Sequence, residues 1–237
     1  MKKTFLKAEW RKLVMANYSI DPGILQKFLP YKTELDFWNN RCYVSLVGFM
    51  FQNTEVMGMR IPFHTDFEEV NLRFYVIHKS GDGIKRGVVF IKEIVPKPAL
   101  TFVANTVYGE NYETMPMHHR WDVNIDTWLI KYAWKKQRWN SVKVISDLNL
   151  SEIKAGSEEE FITEHYWGYT RINDRKTSEY GVEHPRWKVY GVSGFTIDVD
   201  FAYIYGEAFE FLKYETPISV FLAEGSEIVV RHGTTVY

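Results

Sequence analysis

Cysteine is almost missing: among 237 residues only Cys42 is found. That excludes an intramolecular disulfide and a cysteine-built zinc centre. Cys42 itself precedes the apolar run 43–51 and reads as a small buried hydrophobe. An excess of either charge is missing too. Lys and Arg total 29 against 30 Asp and Glu, so no long-range field marks the chain for nucleic acid or an anionic membrane. The amino terminus has lysines but no uninterrupted apolar stretch of the kind a secretory leader needs. No run approaches a transmembrane span. A soluble, reducing, cytoplasmic setting is the expectation.

No Pro/Gly/Ser-rich linker and no internal repeat interrupts the chain, and the polar stretch 151–160 fits a surface turn. One domain over residues 1–237 is therefore expected. The common chemical signatures are absent as well: no Gly-rich phosphate loop, no dinucleotide fingerprint, no Gly-x-Ser-x-Gly elbow and no His-Glu-x-x-His helix. His118 and His119 are adjacent, and on a strand adjacent side chains point to opposite faces, which makes them a poor pair of metal ligands. Neither a metal nor a cofactor is expected.

What the chain has is aromatic bulk, with 8 Trp, 15 Tyr and 16 Phe spread along its length. Such residues suit strands and sheet interiors. Helix signals are few. Asp21-Pro22 opens a short helix with apolar Ile24, Leu25, Phe28 and Leu29 before Pro30. Pro98 opens a second, with Ala99, Phe102, Val103 and Val107 on one side and Gly109 as its stop. Asn39-Asn40 marks a turn, 41–51 a buried strand, and 80–83 a turn that folds 88–95 back on 71–78 as an antiparallel hairpin. Strand patterns continue through 111–139, 140–150, 160–172, 195–205 and 228–236, with 207–214 ambiguous. The pattern is mainly β and mostly antiparallel, a barrel or two packed sheets.

Residues 67–76 alternate strictly. Val70, Leu72, Phe74 and Val76 fall on one face, Glu69, Asn71, Arg73 and Tyr75 on the other. Taken alone, such a polar face belongs in solvent; in a closed barrel it lines the interior instead. Glu69 and Arg73 stand roughly 13 Å apart along a straight strand and so are not a direct ion pair.

The order of short motifs, Asn17-Tyr18 with Asp21-Pro22 and Leu29-Pro30, then residues 69–76, then Thr163-Glu164-His165-Tyr166, His184-Pro185 and Glu224-Gly225, resembles the YqjF-like family of the acetoacetate decarboxylase-like superfamily. The resemblance implies a cone-shaped antiparallel β-barrel with a few short helices around a pocket for a small, anionic organic molecule. It moves the polar face of residues 69–75 into that pocket, where Glu69 matches the superfamily's glutamate. The decarboxylases use a lysine pair to form a Schiff base, one lysine activating the other. Here the matching segment reads Gly109-Glu110-Asn111-Tyr112-Glu113. A phenol and a carboxylate cannot form an imine, and the neighbouring Lys92 and Lys97 read as a solvated strand position and a helix start.

Candidate catalytic residues are then Glu69, Tyr112 and Glu113, and candidate binding residues are Asn71, Arg73, Glu164, His184 and Glu224. Arg73 suits a carboxylate, Glu69 or Glu113 suits proton transfer if its pKa is raised, and Tyr112 suits a hydrogen bond to a carbonyl. Each has a plainer reading: Arg73 in an interior ion pair, His184 in a turn hydrogen bond beside Pro185, Glu224 in a surface turn, Tyr112 as filler. Two functions remain open, acid/base chemistry on a small oxo or carboxylic acid without an imine, and a non-catalytic binding or sensing barrel. The expected partner is a small molecule, with no nucleic acid and no membrane, and a homodimer is expected on general grounds.

Overall fold

The computed structural model describes residues 3–81 and 83–237; Asp82 of the expected 80–83 turn and the side chain of Val107 lie outside the described residues. The described strands are β1 (Thr4–Ser19), β2 (Thr33–Leu35), β3 (Tyr43–Val56), β4 (Phe67–Ser80), β5 (Gly83–Val95), β6 (Tyr112–Thr114) and β7 (Met117–Val123), followed by β8 (Trp128–Lys135), β9 (Trp139–Glu152), β10 (Trp167–Asn173), β11 (Lys176–Glu183), β12 (Lys188–Asp198), β13 (Ser219–Arg231) and β14 (Thr234–Val236). Short helices intervene: α1 (Pro22–Leu25), α2 (Pro98–Val103), α3 (Glu158–Thr163) and α4 (Phe201–Tyr205). None is long and apolar enough to cross a membrane.

All described strands share one sheet. Its path runs β14-β11-β10-β5-β4-β3-β1-β13-β12-β9-β8-β7, with β2 beside β4, β6 beside β5, and a further pairing between β11 and β13. The pairs are antiparallel except β5 with β10 and β5 with β6. Asn39 and Asn40 both take positive φ, 47° and 62°, in the turn that joins Trp38 to Arg41, a conformation asparagine tolerates.

The central strands are covered on both faces. Val70, Leu72, Phe74 and Val76 of β4 join Val14 and Ala16 of β1, Tyr132 and Trp134 of β8 and Phe201 of α4 in one core. The opposite face meets a second core of Tyr43, Val47 and Phe49 from β3, Met15 from β1, and Phe161 and Ile162 from α3. The polar face of β4 is therefore not solvated: Glu69, Asn71, Arg73 and Tyr75 are 3%, 2%, 8% and 1% exposed. The expectation from the strand alone is corrected because α3 and the second core take the place of solvent.

Two other expectations change. The start of the expected strand 160–172 is helical instead, residues 160–163 belonging to α3: the Ser157 side chain caps that helix by accepting from the Glu160 N–H, and Glu158, Glu159 and Glu160 fill its first turn, where negative charge complements the helix dipole. Strand pattern 195–205 breaks after Asp198, since Asp200 caps α4 through the Tyr203 N–H. The ambiguous stretch is a 3-10 helix over Glu207–Lys213.

Candidate functional site

Alternation on β4 sends Phe67, Glu69, Asn71 and Arg73 to one side, and there they border a cavity of about 240 Å³. Aromatic and aliphatic side chains such as Trp10, Phe49, Phe90 and Trp187 make up most of its remaining wall. Ala99, Leu100 and Val103 of α2 cover part of it, with Ile61 and His64 from the loop after β3. An apolar enclosure with a few convergent polar groups is the usual form of a small-molecule site.

Within it, Asn71 Nδ2 donates to Glu69 Oε1 at 2.9 Å and the Tyr112 hydroxyl donates to Glu69 Oε2 at 3.2 Å. Burial pushes the Glu69 carboxyl up to about 7, against the pull of those two hydrogen bonds. Arg73 lies over the Tyr75 ring, donates one long hydrogen bond of 3.4 Å from Nη2 to the Ile162 carbonyl, and keeps a buried Nε without a partner among the described residues. No carboxylate among the described residues pairs with it.

The opposing wall is set by a β-bulge. Leu72 pairs with Lys92 but Arg73 pairs with Phe90, so Ile91 is an extra residue on β5. The Asn111 side chain holds the bulge by donating to the Ile91 carbonyl at 2.6 Å. The shift reverses the parity of β5: Val88 and Phe90 face the cavity, and so does Glu93 rather than Lys92. Strand β6 lies parallel to β5, Tyr112 beside Glu93 and Glu113 beside Ile94. Adjacent residues take opposite faces, which brings Tyr112 to the cavity and turns Glu113 away.

Of the candidate residues, Glu69, Asn71, Arg73, Tyr112 and His184 border this one cavity, and Glu113, Glu164 and Glu224 do not. Glu113 pairs with Lys92 at 2.6 Å and Lys136 at 2.8 Å; burial works against its charge, but the hydrogen bonds from Lys136 and Lys92 hold its carboxyl below the usual range. Glu164 sits between two cavity residues, Thr163 and His165, and accepts instead from the Tyr166 hydroxyl. Glu224 binds buried Lys12 and the Tyr190 hydroxyl elsewhere in the sheet, not in a surface turn. His184 stacks on Trp187 at 4.2 Å and donates from Nδ1 to the Pro185 carbonyl at 2.9 Å.

Glu93, Glu110, Tyr180 and His165 also border the cavity, and none of the four was a candidate from the sequence. Glu93 was hidden by the bulge. Glu110, two positions before Tyr112, shares its face, and that spacing was a usable signal; it accepts from Thr170 Oγ1 at 2.7 Å, and burial pushes it up to about 7. The Glu93 carboxyl is pushed well above the usual range too, by burial and then by Glu110 and Glu69. Tyr180 stands opposite Gly168 in the β10–β11 ladder, where a Cβ on Gly168 would come within 2.1 Å of its ring. His165 is the fourth. Its Nε2–H donates to Asp36 Oδ2 at 3.0 Å while Arg86 pairs with the same carboxylate at 2.7 Å. Burial lowers its pKa to about 4 against the pull of Asp36, so the imidazole is neutral at pH 7 and Nδ1 carries a lone pair. That Nδ1 is buried without a partner among the described residues.

No lysine borders the cavity among the described residues, and no group of three or more His, Cys, Asp or Glu among them is placed to hold a metal ion. The lining supports hydrogen bonding and proton transfer by carboxyl, phenol and imidazole groups.

Among solved structures, the enduracididine biosynthesis enzyme MppR complexed with pyruvate superposes with a TM-score of 0.71 at 12% identity, over 99% of this chain and 91% of that one. Acetoacetate decarboxylase from Legionella pneumophila gives 0.65 at 13% identity, over 98% and 87%. These likenesses establish the acetoacetate decarboxylase-like fold. The uncharacterized protein YqjF of Bacillus subtilis (strain 168) is 32% identical over 80 residues, a match spanning 33% of each chain. A model of the family DUF2071, described as an uncharacterized conserved protein, matches residues 7–227, and the chain belongs to that family.

Proposed function

We propose that the cavity holds a small oxo or carboxylic acid, with Arg73 engaging the carboxylate and Glu69 serving as the proton donor or acceptor. One observation carries the reading: Arg73 is a buried guanidinium whose Nε has no partner among the described residues. An uncompensated buried charge is costly, and a planar anion meets the geometry of a guanidinium edge. Glu69, with its carboxyl raised to about 7, is poised to exchange a proton near neutral pH. Pyruvate in the MppR structure is an acid of the proposed size. Among the described residues the lining holds no lysine, which supports a mechanism without an imine.

The proposal includes the enclosure. The pairings β1-β3-β4-β5-β10-β11-β13 return to β1 through β11–β13 and β13–β1, a circuit that supports a closed, cone-shaped barrel formed by a single domain.

Titration calorimetry with pyruvate, 2-oxobutanoate and acetoacetate tests the anchor. Arg73→Ala is expected to weaken binding by about 1.5 to 3 kcal/mol, the worth of a hydrogen bond to a charged group; equal affinity in both proteins assigns Arg73 to structure. Borohydride added with acetoacetate should leave the protein mass unchanged, and an adduct on any lysine would overturn the imine-free mechanism. Exchange of the C3 protons of 2-oxobutanoate in D2O, followed by NMR, separates chemistry from binding. Exchange that Glu69→Gln abolishes supports catalysis, whereas binding without exchange leaves the cavity a binding site.

A further inference from the structure

We propose that the ligand carries a cationic nitrogen as well as a carboxylate, and that Glu93 and Asn71 hold the nitrogen while Arg73 holds the carboxylate. This deepens the preceding reading and rests on its Arg73 anchor. The charged lining is lopsided: among the described residues, Glu69, Glu93 and Glu110 stand against Arg73 alone. Three carboxyls crowded in an apolar enclosure resist ionisation until a cation joins them, so a ligand that brings a positive nitrogen gains a contact there that a simple anion lacks. The bulge at Ile91 is the structural device behind this excess, since without the extra residue Lys92 would occupy the inward face in place of Glu93.

Hydrogen-bonding capacity points the same way. Among the described residues, the buried side-chain atoms lacking a partner include Arg73 Nε, a donor, and Asn71 Oδ1 and Glu93 Oε2, both acceptors on residues that line the cavity. Asn71 and Glu93 are 2% and 3% exposed. A ligand carboxylate offers acceptors only, so it serves Arg73 but has no donor for Asn71 Oδ1 or for an ionised Glu93. An ammonium offers three N–H donors and serves both. The two acceptors are also neighbours, because Asn71 and Glu93 pair directly across the β4–β5 ladder. Arg73 is two residues along β4, roughly 7 Å away. A ligand spanning that distance has its carboxylate and its nitrogen separated by a short carbon chain.

Calorimetry on the intact protein with pentanoate, pentylamine, 4-aminobutanoate, 5-aminopentanoate and 6-aminohexanoate tests the assignment. At least one amino acid is expected to bind tenfold or more tighter than pentanoate and pentylamine. Glu93→Gln is expected to bring that ratio below threefold. The wild-type comparison decides even if the variant does not fold: pentanoate binding as tightly as every amino acid would overturn the nitrogen subsite and leave the Arg73 anchor standing. Failure of all these ligands together with pyruvate and 2-oxobutanoate would overturn both.

Discussion

Glu69 and His165 border the same cavity and are driven by burial in opposite directions along the pH axis. Burial raises Glu69 from its ordinary 4.5 to about 7. Between those values the folded protein keeps a proton that the unfolded chain has released, so this group's contribution to stability falls as pH rises through that window. His165 is lowered from 6.5 to about 4. There the unfolded chain binds the extra proton, and stability rises with pH from about 4 to 6.5. The two slopes oppose each other in the wild type and separate only in variants. Urea midpoints from pH 4 to 8 should show Glu69→Gln gaining on the wild type as pH rises from 4.5 to 7; a difference constant in pH would contradict the raised carboxyl. Nitrogen-15 spectra at pH 5.5 should show His165 as a neutral imidazole protonated at Nε2, the nitrogen that Asp36 accepts from. An imidazolium at that pH would contradict the assignment.

At the scale of single elements, strand β4 was legible because its period is uninterrupted: Glu69, Asn71 and Arg73 could be placed on one face from the sequence alone. Strand β5 was not, because a one-residue bulge leaves no mark in composition yet exchanges Lys92 for Glu93. Glu113 was misplaced for a related reason. It is next to Tyr112, and neighbours on a strand cannot both face one cavity. Residues 160–163, expected as the start of a strand, are helical because their apolar spacing fits either element and Ser157 with Glu160 supplies the cap that decides it. Gly168 offers a test of local packing. A methyl group there collides with the Tyr180 ring, so Gly168→Ala is expected to cost about 1 to 3 kcal/mol, the usual range for overpacking. Tyr180→Ala should relieve much of that cost, giving a non-additive double-mutant cycle in denaturant unfolding. Additive effects would show that the ring yields elsewhere.

On the scale of the whole molecule, the sequence showed a mainly β chain and its family resemblance, but not the covering of both faces of the central strands. That covering depends on α3 and the second core reaching β4 from distant positions in the chain, which no strand periodicity records. It removes the polar face of β4 from solvent and gives Arg73, Glu69 and Glu93 a shared enclosure. The claim that this enclosure is a ligand site is tested most directly by native mass spectrometry of gently purified protein, wild type beside Glu69→Gln and Arg73→Ala. The expected result is a retained small molecule in the wild type that is lost from both variants. No retained molecule, with variants as stable as the wild type and small oxo acids failing to bind, would contradict it and leave the buried polar face with a structural role alone.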